Sequence, residues 1–398
     1  MRILMISDVY FPRVNGVSTS ILTFQQELSE QGHGVHIIAP TYPAGHPEVP
    51  HITRVESGNV IMDPEDRLMK SAKIHALLPQ LRERDFDLVH IQTPFLAHYA
   101  GIKLARMLNI PTVETYHTFF EEYLYHYVPL LPKFLTRMIT RNFSRSQCNS
   151  VDAVIVPSTA MSMVLQQYGC VSPIHIAPTG IQMAKFKSGV GSRFRAKHGI
   201  PEDQPLLLHV GRVAHEKNIG FLLTVVAHLK ATHPKMLLLI CGEGPAKPDL
   251  EQQVKRLGIT DNVKFVGYLD RETELMDCYC AADVFVFASR TETQGLVLLE
   301  AMALGVPVVS TAVMGTIDIL SPHRGALVAE EETEDFAAKV ARLLGNKELR
   351  QLIGNEGREY ANTWSAPATA RRVVDIYQGV IDNRSAQRAQ AVSPSVAN

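Results

Sequence analysis

Short runs that are apolar at nearly every position recur along this chain, each followed by a loop and then by a stretch of helical period. Ile3 to Ser7 leads through the loop Phe11 to Gly16 into a helical pattern, Ser18 to Glu30, and past Gly32 into a second run, Val35 to Ala39. A strand that is continuously apolar, instead of alternating, is buried on both faces, as parallel strands covered by helices are. Strand, loop, helix and strand within about 40 residues make a βαβ unit. Leu88 to Ile91, Thr112 to Thr115 and Ala153 to Val156 continue the series. The rhythm restarts at Leu206 to Val210, with a loop (Gly211 to Asn218) and a helix (Ile219 to Lys230). Met236 to Cys241, Val263 to Val266, Val284 to Ala288 and Val306 to Ser310 follow as strands. Between the two series, Pro178 to Gln204 is rich in Gly, Pro, Lys and Arg and reads as an interdomain linker plus an entering segment. A last helix is expected from about Ala366 to Asp382, and a disordered tail after Arg384.

The expected fold class is therefore α/β, with two doubly wound parallel sheets. One domain covers 1–180 and is completed by a C-terminal helix at 365–384; the other covers 200–364, and 385–398 is the tail. Ligands of such sheets sit outside the carboxyl ends of the strands, so the loops that follow strands are where chemistry is sought.

Charge and cysteine usage narrow the function classes. Lys and Arg total 39 against 40 Asp and Glu, a formal net charge of -1, which argues against a surface given over to nucleic acid. No apolar run reaches the ~18 residues of a membrane span; Gly295 to Gly315 is interrupted by Glu300. The N-terminal apolar run ends at Asp8, too soon for a signal-peptide core. Five Cys are scattered (148, 170, 241, 278 and 280), and Cys278 and Cys280 have no second pair or His cluster nearby. Neither a disulfide framework nor a zinc site is expected, and a reducing cytoplasm is the expected compartment.

The most informative stretch is Ser289 to Val309. Glu292 lies in a polar loop after a buried strand, Gly295 lets the backbone turn closely, and a helix is expected from Leu296 to Leu304, closed by Gly305 and Pro307. Glu300 falls in that helix among Leu, Val and Met, where a carboxylate is costly unless it is paired or meets a polar ligand. A second constellation, Gly211-Arg212 followed by Glu216-Lys217-Asn218, opens a helix after a strand. Two cations, backbone N–H groups and a helix N-terminus suit a diphosphate. After the first strand, Gly16 permits close backbone approach, and Ser18 or Thr19 is expected to cap the helix. His117 also follows a strand, as do Gly242-Glu243-Gly244-Pro245 and Val266-Gly267-Tyr268. Asp85-Phe86-Asp87 precedes a strand, at the wrong end for a cleft, and is expected to cap it without binding metal.

Glu292-x7-Glu300 followed by Ala-Met-Ala-x-Gly-x-Pro-Val resembles the signature of retaining GT-B glycosyltransferases of the family 4 type, which use nucleotide-sugar donors. The resemblance spans about residues 1 to 380. It implies two facing Rossmann-like domains with an interdomain cleft. Glu292 is then the residue that bonds hydroxyls of the donor sugar, and Glu300 accepts from the nucleotide ribose. The same resemblance assigns Arg212 and Lys217 to the donor pyrophosphate and Gly16 to its vicinity, although Asn15 stands where the family often has another glycine. It brings His117 toward the transferred sugar and wraps Gly244, Gly267 and Tyr268 around base and ribose, with Gly295 and Leu296 opening the helix beside them. No metal and no cofactor beyond the nucleotide sugar, UDP-glucose as the expected donor, is implied.

On the acceptor side, Phe119 to Leu135 is dense in aromatics and Leu, and Lys133, Arg137, Arg141 and Arg145 follow at i, i+4 along one helical stripe. A basic helix beside aromatics is a membrane-surface signal. The segment from His117 to Tyr123 and the basic helix resemble the diacylglycerol glucosyltransferase and sulfolipid synthase branch. That branch implies transfer of a hexose, expected to be glucose, from a UDP-sugar to a lipid acceptor such as diacylglycerol. It also implies retained configuration and a peripheral position on the inner face of the cytoplasmic membrane. Either Glu121 or Glu122 is expected to touch the acceptor. The alternative is a GDP-mannose-dependent mannosyltransferase acting on phosphatidylinositol or a polysaccharide intermediate.

Overall fold

The computed structural model describes residues 1–43, 45, 49–59, 67–117, 133–186, 189–271 and 273–392. The chain divides into two compact units, Met1–Gly180 with Ala366–Asn398, and Ile181–Ser365. The strands in chain order are β1 (Arg2–Ile6), β2 (Gly34–Pro40), β3 (Ile52–Val55), β4 (Ser57–Asn59), β5 (Arg67–Met69), β6 (Leu88–Ile91), β7 (Thr112–Thr115), β8 (Ala153–Val156), β9 (Ile174–Ile176), β10 (Leu206–Val210), β11 (Leu237–Cys241), β12 (Val263–Gly267), β13 (Val284–Phe287), β14 (Val308–Ser310) and β15 (Ala326–Val328).

In the first unit the main sheet has the order β3-β2-β1-β6-β7-β8-β9, with parallel pairing throughout. Ile3, Leu4, Met5 and Ile6 are all fully buried, the double-faced burial that a continuous apolar run implies. The order turns back between β1 and β6, so the loops after these two strands diverge and leave room at the carboxyl edge. The final helix, Ala366–Val392, buries Ala370, Val373, Ile376, Tyr377 and Val380 against the same core as β1 and β2. It runs past Arg384 to Val392, where a structureless tail was expected. Ala, Gln and Arg after Arg384 are good helix formers and extend a helix already docked upstream.

The second unit has a sheet of order β12-β11-β10-β13-β14-β15, again parallel, with its turning point between β10 and β13. The second unit begins at Ile181, so most of the stretch Pro178 to Gln204, read as linker plus entering segment, enters this unit, and its start moves from 200 to 181. The helix Gly191–His198 buries Phe194, and Arg195 donates to the carbonyls of Ala281, Pro201 and Gln204. A Cβ on Gly191 would lie 2.4 Å from the Cys280 carbonyl oxygen, so this glycine marks close packing inside a stretch whose composition reads as linker.

Candidate active site

In the second unit three loops leave the carboxyl ends of β10, β11 and β12 and are tied backbone to backbone. Gly211 N donates to Cys241 O (3.0 Å), Val213 N to Glu243 O (3.0 Å), and Gly242 N to Gly267 O (2.8 Å). A Cβ on Gly244 would stand 2.4 Å from Val213 O, so only glycine admits this approach. Tyr268 follows β12 and is 57% exposed. Arg212 lies half-buried beside Gly211.

Lys217 ends the short turn His215–Lys217, after which Asn218, at φ 55, opens the helix Ile219–Leu229. Its Nζ donates to Glu292 Oε1 at 2.5 Å, joining the loop after β10 to the loop after β13. Both side chains are about four-fifths buried, at 19% and 18% exposure. The Glu292 carbonyl accepts from Gly315 N (2.8 Å), which holds this loop in place. Gly295, at φ 96, then turns the chain into the helix Leu296–Ala303, with Leu296 in its first turn. That positive φ is a conformation L side chains rarely adopt, and a Cβ there would also meet Thr316 Cγ2 at 3.0 Å.

Glu300, one helical turn further on, is 4% exposed. Arg271 Nη2 donates to its Oε1 at 2.5 Å and the Tyr279 hydroxyl to its Oε2 at 2.8 Å. The carboxylate that looked costly among Leu and Met is thus paired with a cation and a phenol. Glu300 in turn raises the Arg271 guanidinium, while burial, reinforced by the Glu300 charge, raises the Tyr279 phenol. Arg271 and Tyr279 were not candidates in the sequence. Their one signal was the need for a partner at Glu300, and nothing in the spacing named them.

Below these loops, His209 on β10 is fully buried. Its Nδ1 lies 3.2 Å from the Val286 carbonyl, which assigns the ring proton to Nδ1. Desolvation, reinforced by Lys217, pushes it down to about 4, so the ring is neutral at ordinary pH.

Two candidates lie in the first unit. Gly16 opens the helix Gly16–Glu30, and a Cβ there would meet nothing within 4 Å. The cap is Asn15, contrary to the expectation of Ser18 or Thr19: Asn15 Oδ1 accepts from Ser18 N and Ser18 Oγ from Asn15 N, both at 2.9 Å. The residue in the place of a family glycine therefore supplies a capping box. His117 follows β7, its Nε2 2.9 Å from Gln92 Oε1, and desolvation pushes it down to about 4. Thr118 to Pro132, including the aromatic segment with Glu121 and Glu122, lies outside the described residues, as does the Lys133 side chain. Asp87 Oδ2 accepts from Arg2 N at 2.6 Å at the amino edge of the sheet. Among the described residues no group of three or more His, Cys, Asp or Glu is arranged to hold a metal ion.

Residues 192–360 match the model of glycosyl transferases group 1, and residues 14–185 that of glycosyltransferase family 4. An alpha-monoglucosyldiacylglycerol synthase of Streptococcus pneumoniae (strain ATCC BAA-255 / R6) is 36% identical over 326 residues, 78% of this chain and 71% of that protein. This chain is a GT-B glycosyltransferase. The sulfoquinovosyl transferase SQD2 of Arabidopsis thaliana is 29% identical to the glycosyltransferase over 378 residues, 91% of this chain and 70% of that one. A GDP-mannose-dependent alpha-mannosyltransferase of Mycobacterium tuberculosis (strain CDC 1551 / Oshkosh) is 27% identical over 395 residues, 98% of this chain and 99% of that one. Among solved structures, a sucrose-phosphate synthase from Thermosynechococcus elongatus shares the fold with a TM-score of 0.76 at 23% identity, covering 96% of this chain and 99% of that one.

Proposed function

We propose that this glycosyltransferase moves glucose from UDP-glucose to a diacylglycerol hydroxyl at an anionic membrane surface, with retention of configuration. The observation that carries the donor half is the joining of Lys217 to Glu292 beside a buried, doubly bonded Glu300. Lys217 and Arg212 would neutralise the diphosphate as it departs, with the N-terminus of the helix Ile219–Leu229 adding its dipole. A cationic cradle of this kind takes the role that a metal ion plays in other phosphate sites, so no metal is required in the proposal. Glu292, freed from Lys217 by the incoming phosphate, would accept from sugar hydroxyls, and Glu300 from the ribose. Tyr268 offers a face for the base.

The acceptor half rests on the helix Lys133–Cys148. Its buried face is polar, with Thr136, Thr140, Ser144 and Gln147 all at most 3% exposed. Its outer face carries Phe134 (73% exposed), Met138 (52%) and Ile139 (45%) beside the exposed Arg137, Arg141 and Arg145. Apolar and cationic side chains turned outward together suit a lipid surface on the inner face of the cytoplasmic membrane. No helix among the described residues is long and apolar enough to cross a membrane. The 36% identity to an alpha-monoglucosyldiacylglycerol synthase favours a diacylglycerol acceptor here. A second reading, mannosyl transfer from GDP-mannose, is favoured by the end-to-end match to a mannosyltransferase. Incubation with each donor and diacylglycerol vesicles separates them: a glucolipid from UDP-glucose supports the proposal, and a mannolipid alone overturns it.

A further inference from the structure

A line of polar side chains runs from the final helix to His117. Tyr377 on that helix is fully buried, and its hydroxyl lies 2.6 Å from His90 Nδ1 on β6. His90 Nε2 lies 2.7 Å from Thr115 Oγ1 on β7. Gln92, just past β6 and 1% exposed, places its Nε2 3.0 Å from His90 Nδ1 and its Oε1 2.9 Å from His117 Nε2. Every link has a direction. The Tyr377 phenol is raised by burial and stays protonated, so it donates to His90 Nδ1. Burial pushes His90 down to about 3, so it holds a single ring proton, which then sits on Nε2 facing Thr115. The lone pair of His90 Nδ1 is taken by Tyr377, and the Gln92 amide nitrogen, 3.0 Å from Nδ1 and 3.3 Å from Nε2, lies against the His90 ring, which accepts an N–H and not a carbonyl, so the amide oxygen faces His117. An amide oxygen only accepts, so His117 carries its proton on Nε2.

We propose that Gln92 is a positioning residue: it fixes the ring of His117 as the Nε2–H tautomer, with the lone pair on Nδ1, and is itself held by His90 and Tyr377. The proposal deepens the reading of His117 as a group of the transfer site and rests on that reading for its catalytic consequence. It also explains why a tyrosine of the C-terminal helix is buried beside β6 when a phenylalanine would pack equally well. The titratable groups that face His117 along this line are His90 and Tyr377. Glu114 of β7 turns elsewhere, to His98 Nδ1 (3.0 Å).

The test uses the full chain with ring nitrogens labelled in histidine, His117 being assigned by loss of its signals in His117→Asn. Long-range nitrogen–proton correlation in the unliganded wild type is expected to show His117 as the Nε2–H form, titrating near 4. A His117 found as the Nδ1–H form overturns the proposal without any variant. In Gln92→Leu the tautomers are expected to mix. In Gln92→Glu the carboxylate is expected to raise the His117 titration by at least one pH unit and to move the acidic limb of kcat with it. Tyr377→Phe is expected to loosen the tautomer preference partially. Unchanged His117 signals in both Gln92 variants overturn the proposal. In glucosyl transfer, Gln92→Leu is expected to lower kcat about tenfold with the donor KM within twofold, and Gln92→Glu to restore part of it near the new titration point. Should the nitrogen signals shift as described while no lipid is glycosylated by the wild type, the positioning role stands and the reading of the reaction falls.

Discussion

Replacing Glu300 by Gln probes the second unit most sharply, because the carboxylate has two jobs that separate. In the protein alone it satisfies Arg271 and Tyr279 at 2.5 and 2.8 Å from a 4%-exposed position. Gln keeps the shape and one acceptor oxygen but loses the charge. Arg271 is one-third exposed and can turn to water, so the stability cost stays near that of one charge-assisted hydrogen bond, about 1–2 kcal/mol. For a unit of this size that lowers Tm by roughly 2–8 °C. Glu300→Ala also strands the buried Tyr279 hydroxyl and leaves a void, and should cost more, about 2–4 kcal/mol. In the donor complex two ribose hydroxyls would bond the charged carboxylate. Exchanging that for an amide loses roughly 1–3 kcal/mol of binding, a 5- to 150-fold rise in Kd for UDP. Tyr279→Phe is the control: it removes one buried donor and costs stability, yet leaves the carboxylate for the ribose. Calorimetric titration with UDP, alongside thermal melting, reads both quantities. A Kd for UDP unchanged within twofold in Glu300→Gln, with Tm lowered as calculated, would refute the placement of the ribose at Glu300.

Three further outcomes follow from the same geometry. Lys217→Ala should lower kcat by about 10²–10³, through loss of charge on the departing diphosphate, and Lys217→Arg should recover part of it; equal turnover in all three would remove the role. Reversing Arg137, Arg141 and Arg145 to Glu should abolish flotation with anionic vesicles and leave UDP binding untouched; binding that ignores both the lipid charge and these substitutions would contradict the docking face. His36 (about 4), His90 (about 3) and His209 (about 4) have folded pKa values below the unfolded 6.5, so the unfolded chain binds more protons between these limits. Stability is therefore complete above about pH 6.5 and declines as pH falls toward 4, which melting across that range will show.

How much of this was legible in the sequence follows from where each constraint lives. Buried parallel strands such as Leu206–Val210 and Val284–Phe287 declare themselves because both faces must be apolar. β3 and β9 were missed because edge strands of three or four half-exposed residues carry no such run. The pairing of Lys217 with Glu292 was foreshadowed by two motifs that both follow strands, since parallel strands bring their carboxyl ends together. Arg271 was illegible because its 29-residue separation from Glu300 is closed by packing of the helix Glu274–Ala281, which no periodicity encodes. Gln92 and Tyr377 were hidden for the same reason, at 25 and 287 residues from the histidines they meet. Composition misled where glycine meant tight contact, at Gly191, and where a polar tail continued a docked helix.

The central claim is tested by the lipid made from UDP-[14C]glucose and diacylglycerol in anionic vesicles, separated by chromatography, with its anomeric proton read by NMR. The account predicts a monoglucosyldiacylglycerol in the α configuration. A protein that glycosylates a soluble sugar under these conditions and leaves the lipid untouched, or a β-linked product, would contradict it.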